Sequence, residues 1–357
     1  MAFASPPARS ALPLRIGVIG AGMAAKPHLA SLAELTAAGV AEVGWVVGRD
    51  MQRLGLVPAP AGAQLTTRLD DVLQDPDVAA VLVLTPPHTH LDIVRRAAQA
   101  NKHVLVEKPL EVDLARAEAL VDTCDAHGVT LSIMLQHRLR AGPVALRALL
   151  ASGALGDLTG ASATVRWWRP QSYYDVQPGR GTLARDGGGV LITQAIHTLD
   201  LLLGFIGLPE RVTGAAHTSS AHQMECEDSA SALLHYPGGI AATVRATTAA
   251  WPGHAERIEI DGTLGSATLE SGALTVQLMD GNTMTAGADQ GSGGGADPMG
   301  FDHAPHRAVL QDFFEAVRTG RAPAVTGRSA LGVHRVIAAI VESAQTSEAI
   351  DLTRVKV

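Results

Sequence analysis

The stretch Leu14-Arg-Ile-Gly-Val-Ile-Gly-Ala-Gly-Met-Ala-Ala25 constrains the fold of this chain more than any other. Ile16, Val18 and Ile19 make a short apolar, β-branched run of the kind that a buried parallel strand needs. The run ends at Gly20-Ala21-Gly22, and residues 23–38 read as a helix rich in Ala and Leu. Gly20 permits the tight turn, and Gly22 lets the backbone approach a pyrophosphate. Ala25 replaces the usual third glycine and is small enough for close helix–strand packing. Free N–H groups at the helix start, reinforced by the helix dipole, face an anion. A glycine triplet alone is a weak signal. One that joins a strand to a helix and opens an alternating β/α pattern reads as a dinucleotide site, with Gly20, Gly22, Met23 and Ala25 at the phosphates.

The alternation continues. Residues 43–47 form the expected second strand, and 78–84 are an almost continuous aliphatic run after the turn Asp75-Pro76-Asp77. A helix over 91–100, a strand over 103–106, a helix over 114–127 closed by Gly128 and a strand over 129–134 follow. This pattern predicts a doubly wound parallel sheet with ligands at the carboxyl ends of its strands. The pattern changes after Arg140. A short helix over 144–151 leads into strand-like runs at 159–167, 211–219, 229–236, 240–248, 256–260 and 274–278, most of them bounded by Gly, Pro or Asp turns. The helical exceptions are 191–203 and a C-terminal pair, 308–318 and 330–343, while 286–300 reads as a glycine-rich surface loop. The expected architecture is therefore α/β. A loose tail (1–13) precedes a nucleotide-binding domain (14–136) and a second domain (137–357) built on a large, mostly antiparallel open sheet.

Composition narrows the function. A chain of 357 residues is longer than one core usually supports. A net charge of −7 without any basic cluster argues against a nucleic-acid partner. Cys124 and Cys226 make no disulfide framework and read as free thiols of a reducing cytoplasm. No apolar run is long enough to span a membrane, and the three prolines within residues 1–13 suit a tail rather than a signal peptide. Arginine outnumbers lysine 24 to 4, so each lysine is a less casual choice than usual.

Several residues at predicted strand ends carry chemistry. After the second strand the position that usually holds a ribose-binding acid is Gly48, followed by Arg49 and Asp50. An arginine there suits a 2′-phosphate, which leans the reading toward NADP over NAD. Thr85 and Pro86 open a rigid turn where the sheet delivers loops to the cofactor, and His88 and His90 follow them, with Thr85, Pro86 and His90 expected to touch the cofactor. Glu107-Lys108-Pro109 ends the next strand. A lysine there, partly desolvated beside a nicotinamide, has a lowered pKa and can polarise a substrate hydroxyl; a surface Lys–Glu pair has the same spacing. The second informative stretch runs from Asp186 through Gly187-Gly188-Gly189 to Thr193, Gln194, His197 and Asp200. The glycines allow a backbone close to a ligand, and Thr193, His197 and Asp200 share one helix face. A carboxylate one turn from His197 would orient it as a general base. Two looser groups, Glu225-Cys226-Glu227-Asp228 with His222, and Asp302-His303 with His306, have metal-ligand residue types without metal-ligand spacing, so no metal is expected.

Taken together these motifs resemble the Gfo/Idh/MocA oxidoreductases, the family of glucose–fructose oxidoreductase and inositol dehydrogenase. The resemblance implies a Rossmann domain, a second domain whose open sheet forms homodimers or homotetramers, and a tightly held NAD(P). It makes Lys108 the signature lysine and His197 the usual acid/base. Inositol-type members have an aspartate where this chain has Thr193. Thr193-Gln194 is nearer to the nucleotide-sugar branch, which has Asn-Gln there. Arg166, Arg169, Tyr173 and Arg180 are then candidates for the sugar cleft, and His137 stands where relatives often have asparagine. The expected activity is hydride transfer between NAD(P) and a secondary hydroxyl of a sugar, sugar acid, nucleotide sugar or cyclitol. The rival readings are a cofactor-retaining glycosidase of the same family and a non-enzymatic NAD(P)-binding regulator.

Overall fold

The computed structural model describes residues 13–289 and 302–353. The expected tail, apart from Pro13, and most of the expected 286–300 loop lie outside the described residues.

The first unit follows the predicted alternation: β1 (Leu14–Ile19), α1 (Ala25–Ala37), β2 (Ala41–Val47), α2 (Met51–Leu54), β3 (Gln64–Thr66), α3 (Leu69–Leu73), β4 (Ala80–Val83), α4 (His90–Gln99), β5 (His103–Val106), α5 (Leu114–Ala126) and β6 (Leu131–Ile133). Its six strands lie in the order β3-β2-β1-β4-β5-β6, all parallel. β4 is buried along its whole length, which explains its unbroken aliphatic sequence. α1 starts two residues later than expected because Met23 and Ala24 remain in the turn. Asp113 caps α5 by accepting the Arg116 N–H at 2.8 Å.

The second unit comprises α6 (Ala141–Ala151), β7 (Leu158–Arg166), α7 (Gln171–Asp175), α8 (Leu183–Asp186), a π-helical turn (Leu191–Ala195) and α9 (Ile196–Ile206). It continues with β8 (Arg211–His217), β9 (Ser229–His235), β10 (Ala241–Thr247), β11 (Arg257–Gly262), β12 (Gly265–Glu270), β13 (Ala273–Leu278) and β14 (Thr283–Ala286). Two long helices, α10 (Ala304–Thr319) and α11 (Gly327–Thr346), and a short β15 (Ile350–Asp351) complete it. The nine strands order as β14-β13-β12-β11-β7-β10-β9-β8-β15, with β7 and β10 the parallel pair. One face packs on helices, and the other exposes alternate residues such as Leu233, Thr243 and Arg245. The short strands β3, β12, β14 and β15 were not expected. They are two to six residues long, and β12 opens on Gly-Ser, so pairing with neighbours makes them strands where propensity does not.

One helix departs from the expected division of the chain. Val309, Leu310, Phe313, Phe314 and Val317 of α10 share a core with Ile16, Val18, Leu29, Leu32 and Leu82 of the first unit. A helix some 170 residues beyond the expected boundary thus completes the nucleotide-binding layer against α1. The segment Leu183–Ile206 is long and apolar enough to cross a membrane, but most of it is buried in the other, larger core of the molecule.

Candidate active site

The glycine turn after β1 is built as its sequence requires. Gly20 has φ +104°, and a Cβ there would lie 2.8 Å from the Leu84 carbonyl carbon. Gly22 is exposed, with nothing within 4 Å of the place a Cβ would take, so the space above it is open. Buried Ala25 begins α1, no side chain caps that helix and no acid occupies its first turn. The N–H groups at this end suit a diphosphate. At the end of β2 a Cβ on Gly48 would meet Leu54 at 2.8 Å, which leaves no room for an acid. The Asp50 carboxylate caps α2 through the Gln52 and Arg53 N–H groups, while Arg49 is exposed beside it. This donor set fits a dinucleotide with its diphosphate at Gly22 and its adenosine end near Arg49.

Lys108 stands on the loop after β5, and its supports are specific. Glu107 Oε1 lies 2.7 Å from His28 Nε2, and Glu107 Oε2 accepts the Lys108 N–H at 2.9 Å. Burial works to raise the Glu107 pKa, but the hydrogen bond to His28 and the neighbouring positive charges hold it at about 2. Glu107 is therefore a buried anchor tied to α1. His90, expected to touch the cofactor, is fully buried instead. Its Nε2 lies 2.8 Å from the Thr85 carbonyl, and its Nδ1 lies 3.1 Å from the Pro109 and Leu110 carbonyls. It clamps the Thr85-Pro86 turn to the lysine loop, because a side chain whose two nitrogens both face backbone carbonyls has nothing left for a ligand. Exposed His88 meets the Arg185 carbonyl at 3.3 Å.

The Lys108 Nζ reaches across to the second unit and donates to the Thr193 carbonyl at 2.6 Å. Thr193 lies in the π-helical turn, whose wider winding loosens the α ladder and is itself unusual. The Thr193 hydroxyl donates to the Gly189 carbonyl at 2.6 Å and also touches Gln194, so its side chain faces its own helix rather than the cleft. His197 follows in α9 and stacks on His137, with ring centroids 4.6 Å apart. Its Nδ1 is buried without a partner. The expected Asp200–His197 couple does not form. Asp200 accepts two bonds from Arg138, at 2.5 and 2.7 Å, because that guanidinium reaches in from the turn after β6. A bidentate guanidinium outcompetes an imidazole for a buried carboxylate.

The triglycine lead-in also has a different cause from the expected one. A Cβ on Gly187 (φ +80°) would lie 2.3 Å from the Val112 carbonyl oxygen, and one on Gly189 would lie 1.7 Å from that of Glu227. These glycines admit connecting segments of the same chain, around Val112 and Glu227, not a ligand. Of the four expected cleft residues, Arg169 is buried, with its guanidinium near the rings of Trp167 and Tyr173, and Arg180 lies 4.2 Å over Tyr173. Arg166 ends β7 half-buried, with its Nε shielded from solvent.

The electrostatics of this centre follow from crowded, buried basic groups. Burial pushes the Lys108 ammonium down, Glu107 and Asp186 oppose that and Arg169 adds to it. Burial, and then His137 and Lys108, hold His197 well below the usual imidazole range. His137 is held down in the same way, with Arg140 and His306 contributing. The site therefore presents neutral imidazoles, able to take up a hydroxyl proton, beside a lysine held below its ordinary pKa.

Sequence reasoning missed two contributors, His28 and His334, because each arrives from a distant segment. The ligand-capable atoms of His28, Glu107 and His306 lie within 4.8 Å of one another, with His28 and Glu107 hydrogen-bonded. His334 on α11 accepts the Leu110 N–H at 3.2 Å. The acidic group around Cys226 divides. Asp228 binds Ser219 and His222, and His222 in turn donates to the Arg169 carbonyl, while Glu227 turns to the helix that carries His197.

Comparison with known proteins agrees with this geometry. Residues 14–135 match the profile of an oxidoreductase family with an NAD-binding Rossmann fold, and residues 144–268 match the GFO/IDH/MocA C-terminal domain. Inositol 2-dehydrogenase 2 of Paenarthrobacter aurescens is 27% identical over 340 residues, covering 93% of this chain and 96% of that protein. D-xylose 1-dehydrogenase (NADP(+)) 2 of Haloferax volcanii is 27% identical over 315 residues, covering 87% and 92%. Among solved structures, the WlbA dehydrogenase of Bordetella pertussis in complex with NADH and UDP-GlcNAcA superposes with a TM-score of 0.81 at 26% identity, covering 95% of this chain and 99% of that one.

Proposed function

We propose that this chain, which belongs to the Gfo/Idh/MocA oxidoreductase family, oxidises a secondary hydroxyl of a nucleotide sugar or sugar acid and prefers NADP. The observation that carries this reading is the bond from Lys108 Nζ to the Thr193 carbonyl, which sets a lysine of the nucleotide-binding unit against the helix that bears His197. When bound, the nicotinamide supplies the hydride acceptor. Gly20, Gly22, Met23 and the start of α1 hold the diphosphate, and the Thr85-Pro86 turn flanks the lysine loop. Lys108, its pKa lowered by burial, donates from its ammonium to the oxygen of the substrate hydroxyl and polarises it. His197, neutral and stacked on His137, takes up the hydroxyl proton as the carbon–hydrogen bond breaks. Arg169 and Arg180 suit an acidic or phosphorylated substrate. The nucleotide-sugar preference is supported by Gln194 and by the likeness to the WlbA dehydrogenase.

The NADP preference rests on residues 48–50, where no acid is free to bind a ribose diol and Arg49 is exposed. The outward face of the nine-stranded sheet, with Leu233 paired to Thr243, is assigned to a second copy in a dimer or tetramer. The test is a panel of UDP-GlcNAcA, UDP-GlcNAc, myo-inositol and D-xylose with NAD or NADP, followed by reduced-nicotinamide absorbance. Turnover should be highest with a nucleotide sugar and should fall by roughly 10²-fold or more in Lys108→Ala. Full turnover in that variant overturns the role of the lysine. A lower Kd for NAD than for NADP overturns that of Arg49.

A further inference from the structure

We infer that Glu227 is a positioning residue that sets the register of the π-helical turn and thereby holds the Thr193 carbonyl on the Lys108 ammonium. Three consecutive N–H groups at the start of that helix end on this one residue. Gly189 donates to Glu227 Oε2 at 3.1 Å, Leu191 to Oε1 at 3.1 Å, and Val190 to the Glu227 carbonyl at 2.8 Å. A helix start leaves such donors unsatisfied, and local Ser, Thr, Asp or Asn caps usually meet them. No side chain of the helix's own segment caps it here. The cap comes from the connection between β8 and β9, more than thirty residues away, and Gly189 is a glycine because any side chain would strike the Glu227 carbonyl.

The consequence for the site is geometric. Gly189 also accepts the Thr193 N–H at 3.0 Å and the Thr193 hydroxyl at 2.6 Å, so a carbonyl in the Glu227-held segment fixes Thr193 directly. Thr193 then presents its own carbonyl to Lys108 Nζ. The carboxylate of Glu227 thus reaches the lysine through three linked hydrogen-bonded steps. The charges that act on Lys108 directly are Glu107, Arg169 and Asp186, so Glu227 acts through the helix and not through space. A carbonyl that accepts from an ammonium favours its charged form, so slackening this chain lowers the Lys108 pKa further.

The inference presumes the catalytic role given to Lys108, but its test needs no substrate. The chain contains only four lysines, Lys26, Lys102, Lys108 and Lys356, so ε-¹³C-lysine labelling gives four resonances, with Lys108 assigned by Lys108→Arg. Each is titrated in the NADP-loaded protein and in Glu227→Gln and Glu227→Asp. The glutamine puts an amide N–H against a backbone N–H, and the aspartate keeps the charge but falls short of both donors. Both variants should move the Lys108 midpoint down by about 1–2 pH units, the worth of one hydrogen bond to a charged group, and leave Lys26 and Lys102 in place. Should the glutamine variant fail to fold, the aspartate variant decides. An unmoved Lys108 midpoint in folded variants overturns the inference, and so does a shift in Glu227→Gln alone, which would mark a through-space charge effect. Loss of turnover in Lys108→Ala tests the lysine separately.

Discussion

Replacing Asp200 with asparagine separates two accounts of the helix that carries His197. If Asp200 oriented His197, the change would disturb catalysis and leave stability nearly intact. The structure requires the reverse. The carboxylate is 3% exposed and the Arg138 side chain 14%, and two charge-assisted bonds of 2.5 and 2.7 Å join them. Arg138 also donates to Ser329 Oγ at 2.7 Å, so it ties α9 to the start of α11. An amide keeps one acceptor for the guanidinium and sets an NH₂ against its other donor. One charge-assisted bond is worth about 1.5–3 kcal/mol. Breaking a buried pair outright costs about 3–5 kcal/mol, which is reduced here by the partial exposure of Arg138. A loss of about 2–4 kcal/mol follows, equivalent to a fall in Tm of about 5–10 °C. The assay is thermal unfolding of Asp200→Asn at pH 7, paired with the pH profile of kcat/KM. The groups that weigh on His197 are His137, Lys108, Arg140 and His306, so the profile should keep its shape. An unchanged Tm together with a displaced limb would refute this account and restore the Asp–His couple.

Other positions give sharper contrasts. Gly22→Ala should leave Tm unchanged, since nothing lies within 4 Å of the new methyl, but weaken dinucleotide binding by about tenfold or more in a fluorescence titration. Gly187→Ala should do the opposite, destabilising by more than about 2 kcal/mol in urea unfolding because of its φ of +80° and the Val112 backbone. Phe314→Ala should cost about 3–5 kcal/mol and loosen NADP binding together with stability, because α10 completes the nucleotide-binding core. Burial lowers the His334 pKa to about 4, below the ordinary 6.5, so the folded state resists protonation. The stability this contributes is complete above pH 6.5 and is lost as pH falls from 6.5 through about 4. His334→Gln, which keeps an acceptor for the Leu110 N–H, should flatten the dependence of Tm on pH across that window.

Much of the site was legible in the sequence because its signals are local. A strand, a glycine turn and a helix within twelve residues announce the nucleotide groove, since steric demands on Gly20 act over a few ångströms of the same chain. Lys108 was legible as a rare lysine at a strand end, and His197 as a histidine on an apolar helix. Asp200 was misread because helical spacing reports which residues share a face but not which distant side chain arrives there. Arg138 precedes it by 62 residues. The glycines at 187 and 189 carry the same ambiguity, for a missing side chain looks alike whether ligand or protein occupies the space.

The sequence by itself determined the period of each element, the parallel sheet and the end of that sheet where chemistry gathers, because these depend on alternation and turns between near neighbours. Tertiary structure decided which residues became partners. It placed α10 under the first unit, and gave His28 to Glu107, Arg138 to Asp200 and Glu227 to the helix of His197. The physical reason is that buried polar groups must find partners wherever the packed chain supplies them, and that supply is a property of three-dimensional proximity which no local pattern encodes.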